Sequence, residues 1–260
     1  MTAHIIDAVR ALATTPTLLV ALDFDGTVSH LDDDPMAVRA IPAAARVVNE
    51  LAHTDDTYVA FVSGRALRDL AIISERPPVS PILLAGSHGA EYMLPVALAD
   101  QTPADAAIRP ADAAEVERAA TAAVAGLPGA RIESKTYGFA LHTRLAAPDV
   151  TELAQSRVAD VMAAAPDWRR RAGHDVREYA WRDEGKDDAV AYLRELTGAT
   201  AVLFAGDDAT DEDALASLSN GDLGVRVGEG ATSATLRVAD PEELASLLNV
   251  IASIRVRAAA

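Results

Sequence analysis

The chain has 260 residues, half of them apolar, which is enough for one large domain or two small ones with a sizeable core. Its formal net charge of −16 argues against nucleic acid as a partner, because phosphate backbones are bound by clustered lysine and arginine side chains. The absence of cysteine excludes disulfides, thiolate metal sites and a thiol nucleophile.

The N-terminal part of the chain alternates short apolar runs with polar turns and helical patterns. In chain order we expect helix 3–13, strand 18–22, a polar loop, helix 42–51, strand 57–62, helix 66–73 and strand 81–85. Because strand, polar turn and helix keep recurring, the pattern predicts βα units and a parallel sheet. The first residues lack the pattern of a signal peptide, and no run of ~18 apolar residues suggests a membrane span.

The pattern changes near residue 104 and returns near residue 181. The segment between predicts helix 104–127, strands 130–133 and 139–144 around a turn at 137–138, helix 148–165, and strands 168–171 and 176–180. The βα pattern then resumes with helix 186–196, strands 201–204, 223–227 and 236–238, and helix 241–254. We therefore predict an α/β fold, with a Rossmann-like parallel-sheet core at 1–104 and 181–260 and an inserted α+β module at 105–180.

Two aspartates, Asp23 and Asp25, come directly after the strand 18–22 and are followed by Gly26 and Thr27. An apolar run of this length that ends in a glycine turn is typical of a buried strand in a parallel sheet. In open α/β sheets the chemistry takes place just past the carboxyl ends of the strands. The two carboxylates should therefore face a cleft.

Three more polar clusters accompany this first one, so that the set is 23–27 (DFDGT), 63–65 (SGR), Lys186 and 206–211 (GDDATD). Alone, each has an ordinary structural interpretation as a turn, a helix start, a solvated lysine or an acidic helix cap. Together they supply the acids, the hydroxyl and the lysine that phosphoryl transfer needs, once a metal neutralises the clustered carboxylates. Oxygen ligands of this kind suit Mg²⁺. One aspartate could attack phosphorus, and an acid two residues along could move the proton.

These four clusters, in this order, resemble the motifs of the haloacid-dehalogenase superfamily phosphatases. The resemblance implies that Asp23 is the nucleophile and Asp25 the general acid/base. It also implies that Ser63 holds the phosphoryl oxygens and that Lys186 stabilises the nucleophile and the developing charge. The inserted module is then expected to be a cap that closes over the site and selects the substrate.

The resemblance also implies a Mg²⁺ site and a phosphate site. Asp23, Asp207 and the backbone carbonyl of Asp25 would hold the metal, with Asp211 either as a further ligand or as a hydrogen-bonding support for the ligands. The expected phosphate contacts, besides Ser63, are Thr27, Gly64 and Arg65.

Within this superfamily the chain is most similar to the trehalose-6-phosphate phosphatases. The similarity lies in the stretches 34–42 (DPMAVRAIP), 62–70 (VSGRALRDL), 86–91 (GSHGAE), 133–144 (an ExK…ALHxR pattern) and 204–215 (FAGDDATDEDAL). It implies hydrolysis of trehalose 6-phosphate to trehalose and phosphate, as a step of trehalose biosynthesis.

The inserted module carries the residues that would recognise the sugar. Glu133 and Lys135 are spaced to share one face of a strand, and we expect His142 and Arg144 to do the same on the next strand. The resemblance implies that glucose hydroxyls contact Glu133, Lys135, Arg144 and Glu178. It also implies that His88 orients the neighbouring loop or contacts substrate. The alternative is a half-buried sheet that turns its polar face to water.

Other functions stay open at this point. The phosphatase could act on another sugar phosphate, of the sucrose-phosphate or mannosyl-phosphoglycerate type, since the core motifs are shared and only the cap distinguishes the substrates. A phosphomutase, or a binding module that has lost catalysis, is a further alternative. The expected partner is a small sugar phosphate, with no nucleic acid and no membrane. The sequence shows no heptad seam or large apolar surface, which slightly favours a monomer, and we expect it in the cytoplasm.

Overall fold

The computed structural model describes residues 3–103, 109–173 and 175–259. The described residues fall into two compact units, one formed by Met1–Ala104 with Glu184–Ala260 and the other by Asp105–Asp183. We call the first unit the core and the second the cap. Positions 104–108 of the predicted helix 104–127 lie outside the described residues.

The chain runs through the core, then the cap, then the core again. The first core segment contains α1 (Ala3–Ala13), β1 (Leu18–Leu22), α2 (Pro42–Ala52), β2 (Thr57–Val62), α3 (Leu67–Ile73), β3 (Leu83–Gly86) and β4 (Glu91–Met93). The cap contains α4 (Ala113–Val124), β5 (Arg131–Lys135), β6 (Gly138–His142), α5 (Pro148–Met162), β7 (Arg169–Gly173) and β8 (Val176–Ala180). The second core segment contains α6 (Lys186–Thr197), β9 (Ala201–Gly206), α7 (Glu212–Ser217), β10 (Leu223–Val227), β11 (Leu236–Val238) and α8 (Pro241–Ala259).

The core is built on a seven-stranded sheet with the order β11-β10-β9-β1-β2-β3-β4. All neighbouring pairs are parallel except β3 and β4. In β1, Leu22 pairs with Phe61 of β2 on one side and with Ala205 of β9 on the other. The parallel-sheet α/β fold expected from the sequence is therefore confirmed.

Helices cover both faces of this sheet, because strands such as β1 carry apolar side chains on both faces. All five residues of β1 are buried, with Leu18, Val20 and Leu22 in one apolar cluster and Leu19 and Ala21 in another. The first cluster includes side chains of α1, α2 and α8, and the second includes side chains of α6 and α7. Burial of each such leucine or valine side chain stabilises the fold by roughly 1.5–3 kcal/mol. The central strand is thus held rigidly, which fixes the residues at its carboxyl end.

The cap is a four-stranded antiparallel sheet with the order β5-β6-β8-β7. Its apolar core contains Phe139, Leu141 and Tyr179 from the sheet, together with side chains of α4 and α5. Because successive strand residues point to opposite faces, the other face of the sheet carries Glu133, Lys135, Arg171 and Glu178, whereas Arg170 and Arg177 lie on the face of Tyr179. Among the described residues, no helix is both long enough and apolar enough to cross a membrane.

Several boundaries differ from the sequence-based expectation. The helix predicted at 104–127 is described only as Ala113–Val124, and it begins shortly after Pro110. The short strand β4 and the short helix α7 were not predicted, because three and six residues carry too little periodic pattern.

We had expected Arg144 to continue strand β6, but it does not. Strand β6 ends at His142, and the N–H of Thr143 bonds to the carbonyl of Asp175. The chain then turns, with the N–H of Ala146 bonded to the carbonyl of Thr143 at 2.9 Å. Arg144 therefore lies in the turn and does not share a strand face with His142.

Candidate active site

Three of the four polar clusters lie at the carboxyl ends of adjacent parallel strands. Asp23 follows β1, Ser63 follows β2 and Asp207 follows β9. The N–H of Asp23 donates to the carbonyl of Ala205, and the N–H of Ser63 donates to the carbonyl of Ala85, each at 2.9 Å. These bonds continue the sheet pairing one residue past each strand, so the functional side chains start from a fixed backbone.

Lys186, the first residue of α6, completes the cluster from outside the sheet. Its side chain is only 3 % exposed. Its Nζ donates to Oδ1 of Asp23 and to Oδ1 of Asp211, both at 2.7 Å. One buried ammonium therefore links the strand end of β1 to the loop after β9.

Asp211 is fully buried and uses both of its carboxylate oxygens within the protein. Oδ1 accepts from Lys186, and Oδ2 accepts from the N–H groups of Asp207 and Asp208, each at 3.0 Å. This arrangement folds the loop 207–211 around one carboxylate. It fixes the position of Asp207 beside Asp23.

Asp23, Asp207 and Asp211 each offer an oxygen, and these atoms lie within 4.8 Å of one another. The Oγ1 of Thr27 lies 3.3 Å from Oδ2 of Asp23 and 3.4 Å from Oδ1 of Asp207. The close approach of Asp207 to the turn after Asp25 needs glycine at Gly26, which has a φ of 76° and where a Cβ would clash with Oδ2 of Asp207. The three carboxylates therefore form one compact acidic cluster.

The electrostatics of the cluster favour a divalent cation. Burial raises the pKa of Asp23 well above its usual value, and the charges of Asp211 and Asp207 add to that rise. Burial and the neighbouring Asp211 raise the pKa of Asp207 to about 7. Burial alone would lower the pKa of Lys186, but the charges of Asp211 and Asp23 outweigh it and hold that pKa well above its usual value. Three carboxylates thus face one ammonium, and the excess negative charge and hard oxygen donors fit Mg²⁺.

The side chain of Asp25 is held by Arg65 and is not part of the cluster of Asp23, Asp207 and Asp211. The guanidinium donates from Nε to Oδ2 at 2.6 Å and from Nη2 to Oδ1 at 2.5 Å. Burial alone would lower the pKa of Arg65, but the hydrogen bonds and charge of Asp25 raise it above its usual value. The backbone N–H of Arg65 also donates to Oγ of Ser63 at 3.2 Å. The SGR segment therefore orients both its own serine and the second aspartate.

His88, a predicted substrate residue, lies behind this segment and is buried. Its N–H donates to the carbonyl of Ser63 at 2.9 Å. Its ring lies against Gly64, where a Cβ would be 2.7 Å from two ring atoms. Of the two roles expected from the sequence, this placement favours orientation of the neighbouring loop over contact with substrate.

The cap brings three of its four predicted sugar residues to the polar face of its sheet. Glu133 pairs with Ala140, which pairs with Glu178, which pairs with Arg171, so these residues form one row across the strands. Lys135 lies on the same face as Glu133, with Nζ 2.6 Å from Oε1. The sequence interpretation did not single out Arg171, although its alternation with Arg169 on a short strand was visible.

Glu133 contacts two basic side chains of the cap. Its Oε2 lies 2.6 Å from Nε2 of His142, and Oε1 lies 2.6 Å from Nζ of Lys135. The close contact with His142 and the charge of Lys135 outweigh burial and lower the pKa of Glu133 to about 2. The side chain is therefore an ionised acceptor fixed between two basic neighbours.

Comparison with known proteins adds to this geometry. A sequence profile of the family described as "Trehalose-phosphatase" matches residues 21–242. A "Trehalose-phosphate phosphatase" of Mycobacterium marinum is 33 % identical over 95 % of this chain and 66 % of its own length. One of Mycobacterium avium is 34 % identical over 90 % of this chain and 61 % of its own length. The chain thus spans about two thirds or less of these curated relatives.

A solved structure shows the same fold. The C-terminal domain of a C. albicans trehalose-6-phosphate phosphatase superposes with a TM-score of 0.78 and 20 % identity, covering 95 % of this chain and 96 % of that domain. At this identity the match supports the fold alone.

Proposed function

The chain belongs to the trehalose-phosphatase family, and we propose that it hydrolyses trehalose 6-phosphate to trehalose and inorganic phosphate through a phosphoryl group carried on Asp23. The observation that carries the proposal is the triad of buried groups formed by Asp23, Lys186 and Asp211. The ammonium contacts both carboxylates at 2.7 Å at the end of the central strand. A buried aspartate held by a lysine is oriented for nucleophilic attack.

In the first half of the reaction, a carboxylate oxygen of Asp23 attacks phosphorus in line with the sugar oxygen. The phosphorus–oxygen bond to the sugar breaks, and the leaving oxygen takes a proton from Asp25 to become a hydroxyl of trehalose. In the second half, Asp25 takes a proton from a water molecule, and that water attacks phosphorus. Inorganic phosphate leaves, and the carboxylate of Asp23 is restored.

Mg²⁺ fits the carboxylates of Asp23 and Asp207, and when bound it supplies positive charge to the phosphoryl oxygens. Asp211 has both oxygens occupied by Lys186 and by two N–H groups, so we assign it the support of the loop and not a place among the ligands. Thr27, Ser63 and the backbone at Gly64 then complete the phosphate contacts. Arg65 orients Asp25 and adds positive charge nearby.

The polar face of the cap sheet is the proposed recognition surface for the sugar. Glu133 and Glu178 offer acceptors in one row, and Lys135 and Arg171 offer donors beside them. Alternating donors and acceptors of this kind suit a molecule with many hydroxyl groups. We keep Arg144 as a candidate that acts from the turn after β6. The cytoplasmic location and the monomeric state stay predictions.

The test is phosphate release from a panel of sugar phosphates, with added Mg²⁺ and with a chelator. We expect trehalose 6-phosphate to give a far higher kcat/KM than glucose 6-phosphate, and we expect the chelator to abolish the activity. A higher kcat/KM for sucrose 6-phosphate or mannosyl-phosphoglycerate would assign the site to that substrate instead. Activity that survives the chelator would remove Mg²⁺ from the proposal.

A further inference from the structure

The turn Gly86–Glu91 (GSHGAE), between β3 and β4, has no place in the chemistry proposed above, yet it bonds directly to the SGR segment. The N–H of Ser87 donates to the carbonyl of Arg65 at 2.7 Å, and the N–H of His88 donates to the carbonyl of Ser63 at 2.9 Å. Two consecutive N–H groups of the turn therefore hold the two ends of the segment that carries Ser63.

The backbone of this turn is strained. Ser87, His88 and Gly89 are consecutive residues with positive φ, at 49°, 59° and 102°. For residues other than glycine this conformation costs on the order of 1 kcal/mol each, and it persists only where surrounding contacts enforce it. The strain therefore indicates that the contacts of the turn are strong enough to determine its shape.

One carboxylate supplies two further contacts of the turn. Oε2 of Glu91 accepts from Oγ of Ser87 at 2.5 Å and from the N–H of Leu67 at 3.2 Å. Leu67 is the first residue of α3, which begins two residues after Arg65, and a carboxylate is favoured at such a helix start. Glu91 thus ties the strained turn to the helix that follows the SGR segment.

The other side of the turn packs on the helix that carries Lys186. A Cβ at Gly89 would lie 2.8 Å from Cβ of Ala189 and 3.2 Å from the carbonyl of Gly185. Both of these residues belong to the first turn of α6 or its cap position, next to Lys186. The turn therefore lies between the SGR segment and α6 and contacts both.

We propose that Glu91 is a positioning residue, which fixes the turn Gly86–Glu91 as a spacer that sets the place of Ser63 and Arg65 relative to Lys186. This role rests on the proposed phosphatase function and deepens it. Glu91 acts through Ser87 and Leu67 and touches neither substrate nor metal. Without its carboxylate, the turn relaxes and the phosphate contacts lose their alignment, while Asp23, Asp207 and Asp211 keep theirs.

The test compares Glu91→Ala with Glu91→Gln, whose amide oxygen can still accept from the N–H of Leu67. At a temperature at which the variant stays folded, we expect Glu91→Ala to lower kcat by about 10- to 100-fold. Small misplacements of reacting groups have effects of this size on the rate. Glu91→Gln should keep most of the activity, and the Mg²⁺ concentration for half-maximal rate should not change. Glu50→Ala, which removes an exposed glutamate of α2, is the matched control.

Amide hydrogen exchange on the same variants separates this proposal from the proposed function. We expect faster exchange in residues 63–67 of Glu91→Ala and no change in residues 57–62 of the buried strand β2. If the wild type releases no phosphate from any ester, the function fails, while selective exchange at 63–67 still supports the positioning role. The proposal is overturned if exchange at 63–67 is unchanged, or if the Ala and Gln variants lose activity equally.

Discussion

Arg65 holds both carboxylate oxygens of Asp25, at 2.6 Å and 2.5 Å. Such a two-point contact fixes the plane of the carboxylate as well as its position. Because Asp25 is the proposed proton donor and acceptor, the ion pair determines how the ionised carboxylate is oriented when it receives a proton. The ion pair is also shielded, with the Arg65 side chain 16 % exposed and that of Asp25 26 % exposed.

The first prediction concerns this ion pair. Arg65→Lys keeps the positive charge but cannot make both hydrogen bonds, so Asp25 loses its orientation. We expect kcat to fall by about 10- to 100-fold, part of the ~10²–10⁴-fold that general acid–base catalysis contributes. Steady-state kinetics on trehalose 6-phosphate measures this, with Arg68→Lys, at an exposed position of the following helix α3, as control. Equal kcat in the Arg65 variant and the control would refute the orienting role.

The second prediction concerns Lys186. Lys186→Ala leaves Asp23 and Asp211 buried without their shared counter-charge. Leaving buried charges unpaired destabilises a protein by about 3–5 kcal/mol, and loss of a charge-stabilising group lowers kcat by about 10²- to 10³-fold. Added Mg²⁺ should therefore raise the Tm of this variant more than that of the wild type. A variant with wild-type Tm and kcat would show that the lysine is dispensable.

The third prediction concerns the metal. A ligand that binds only the folded state stabilises it by about 2.7 kcal/mol at a concentration of 100 times its Kd. We expect Mg²⁺ to raise the Tm of the wild type in this way, and we expect Asp207→Asn to remove most of that rise while the protein stays folded. Thermal unfolding with and without Mg²⁺, followed by circular dichroism, measures both. An undiminished Mg²⁺-dependent rise in the variant would place the metal elsewhere.

The fourth prediction concerns pH and the cap. Glu133 has a pKa of about 2 in the folded chain, below the usual 4.5, so the unfolded chain binds more protons between these values. Glu133 therefore stabilises the cap above about pH 4.5, and this contribution is lost as the pH falls toward about 2. Since the side chain is 34 % exposed, solvent screening limits the effect to about 1 kcal/mol.

Urea unfolding of the wild type and Glu133→Gln at several pH values tests this linkage. Both tryptophans, Trp168 and Trp181, lie in the cap, so tryptophan fluorescence reports on the unfolding of this unit. We expect the wild type to be the more stable protein near neutral pH and the difference to vanish in acid. A difference that does not depend on pH would disprove the assignment.

The fifth prediction distinguishes two arginines of the cap. Arg171 shares a row with Glu133 and Glu178, whereas Arg144 lies in the turn after β6. We therefore expect Arg171→Ala to lower kcat/KM for trehalose 6-phosphate about tenfold, close to the value of one lost hydrogen bond to a charged group, and more than Arg144→Ala does. Rates on p-nitrophenyl phosphate should stay unchanged in both variants. Equal losses on both substrates would indicate a structural role.

The sequence was sufficient to predict which residues lie at the strand ends. Apolar runs before Asp23, Ser63 and Asp207 mark buried parallel strands, and the topology of such sheets brings their carboxyl ends to one edge. The parallel core and the two strand pairs of the cap followed from the same patterns.

The sequence could not predict how the side chains pair. The contact of Arg65 with Asp25 spans 40 positions, and that of Lys186 with Asp23 spans 163, so each depends on tertiary geometry. Arg144 was misplaced for a related reason, because the end of β6 is set by the bond of Thr143 to Asp175 on another part of the chain. The strained turn at Ser87 and His88 was likewise invisible, since neither residue type predicts a positive φ.

The most direct test of the account is to look for the phosphoryl group on Asp23. Asp25→Asn removes the group that activates water, so the phosphorylated protein should accumulate when this variant is mixed with trehalose 6-phosphate and Mg²⁺. After rapid acid quenching, mass spectrometry of the peptide that contains residues 18–27 measures it. We predict the added mass of one phosphoryl group on Asp23, absent from the double variant Asp23→Asn/Asp25→Asn. An unmodified peptide, despite release of trehalose, would contradict the nucleophilic role of Asp23.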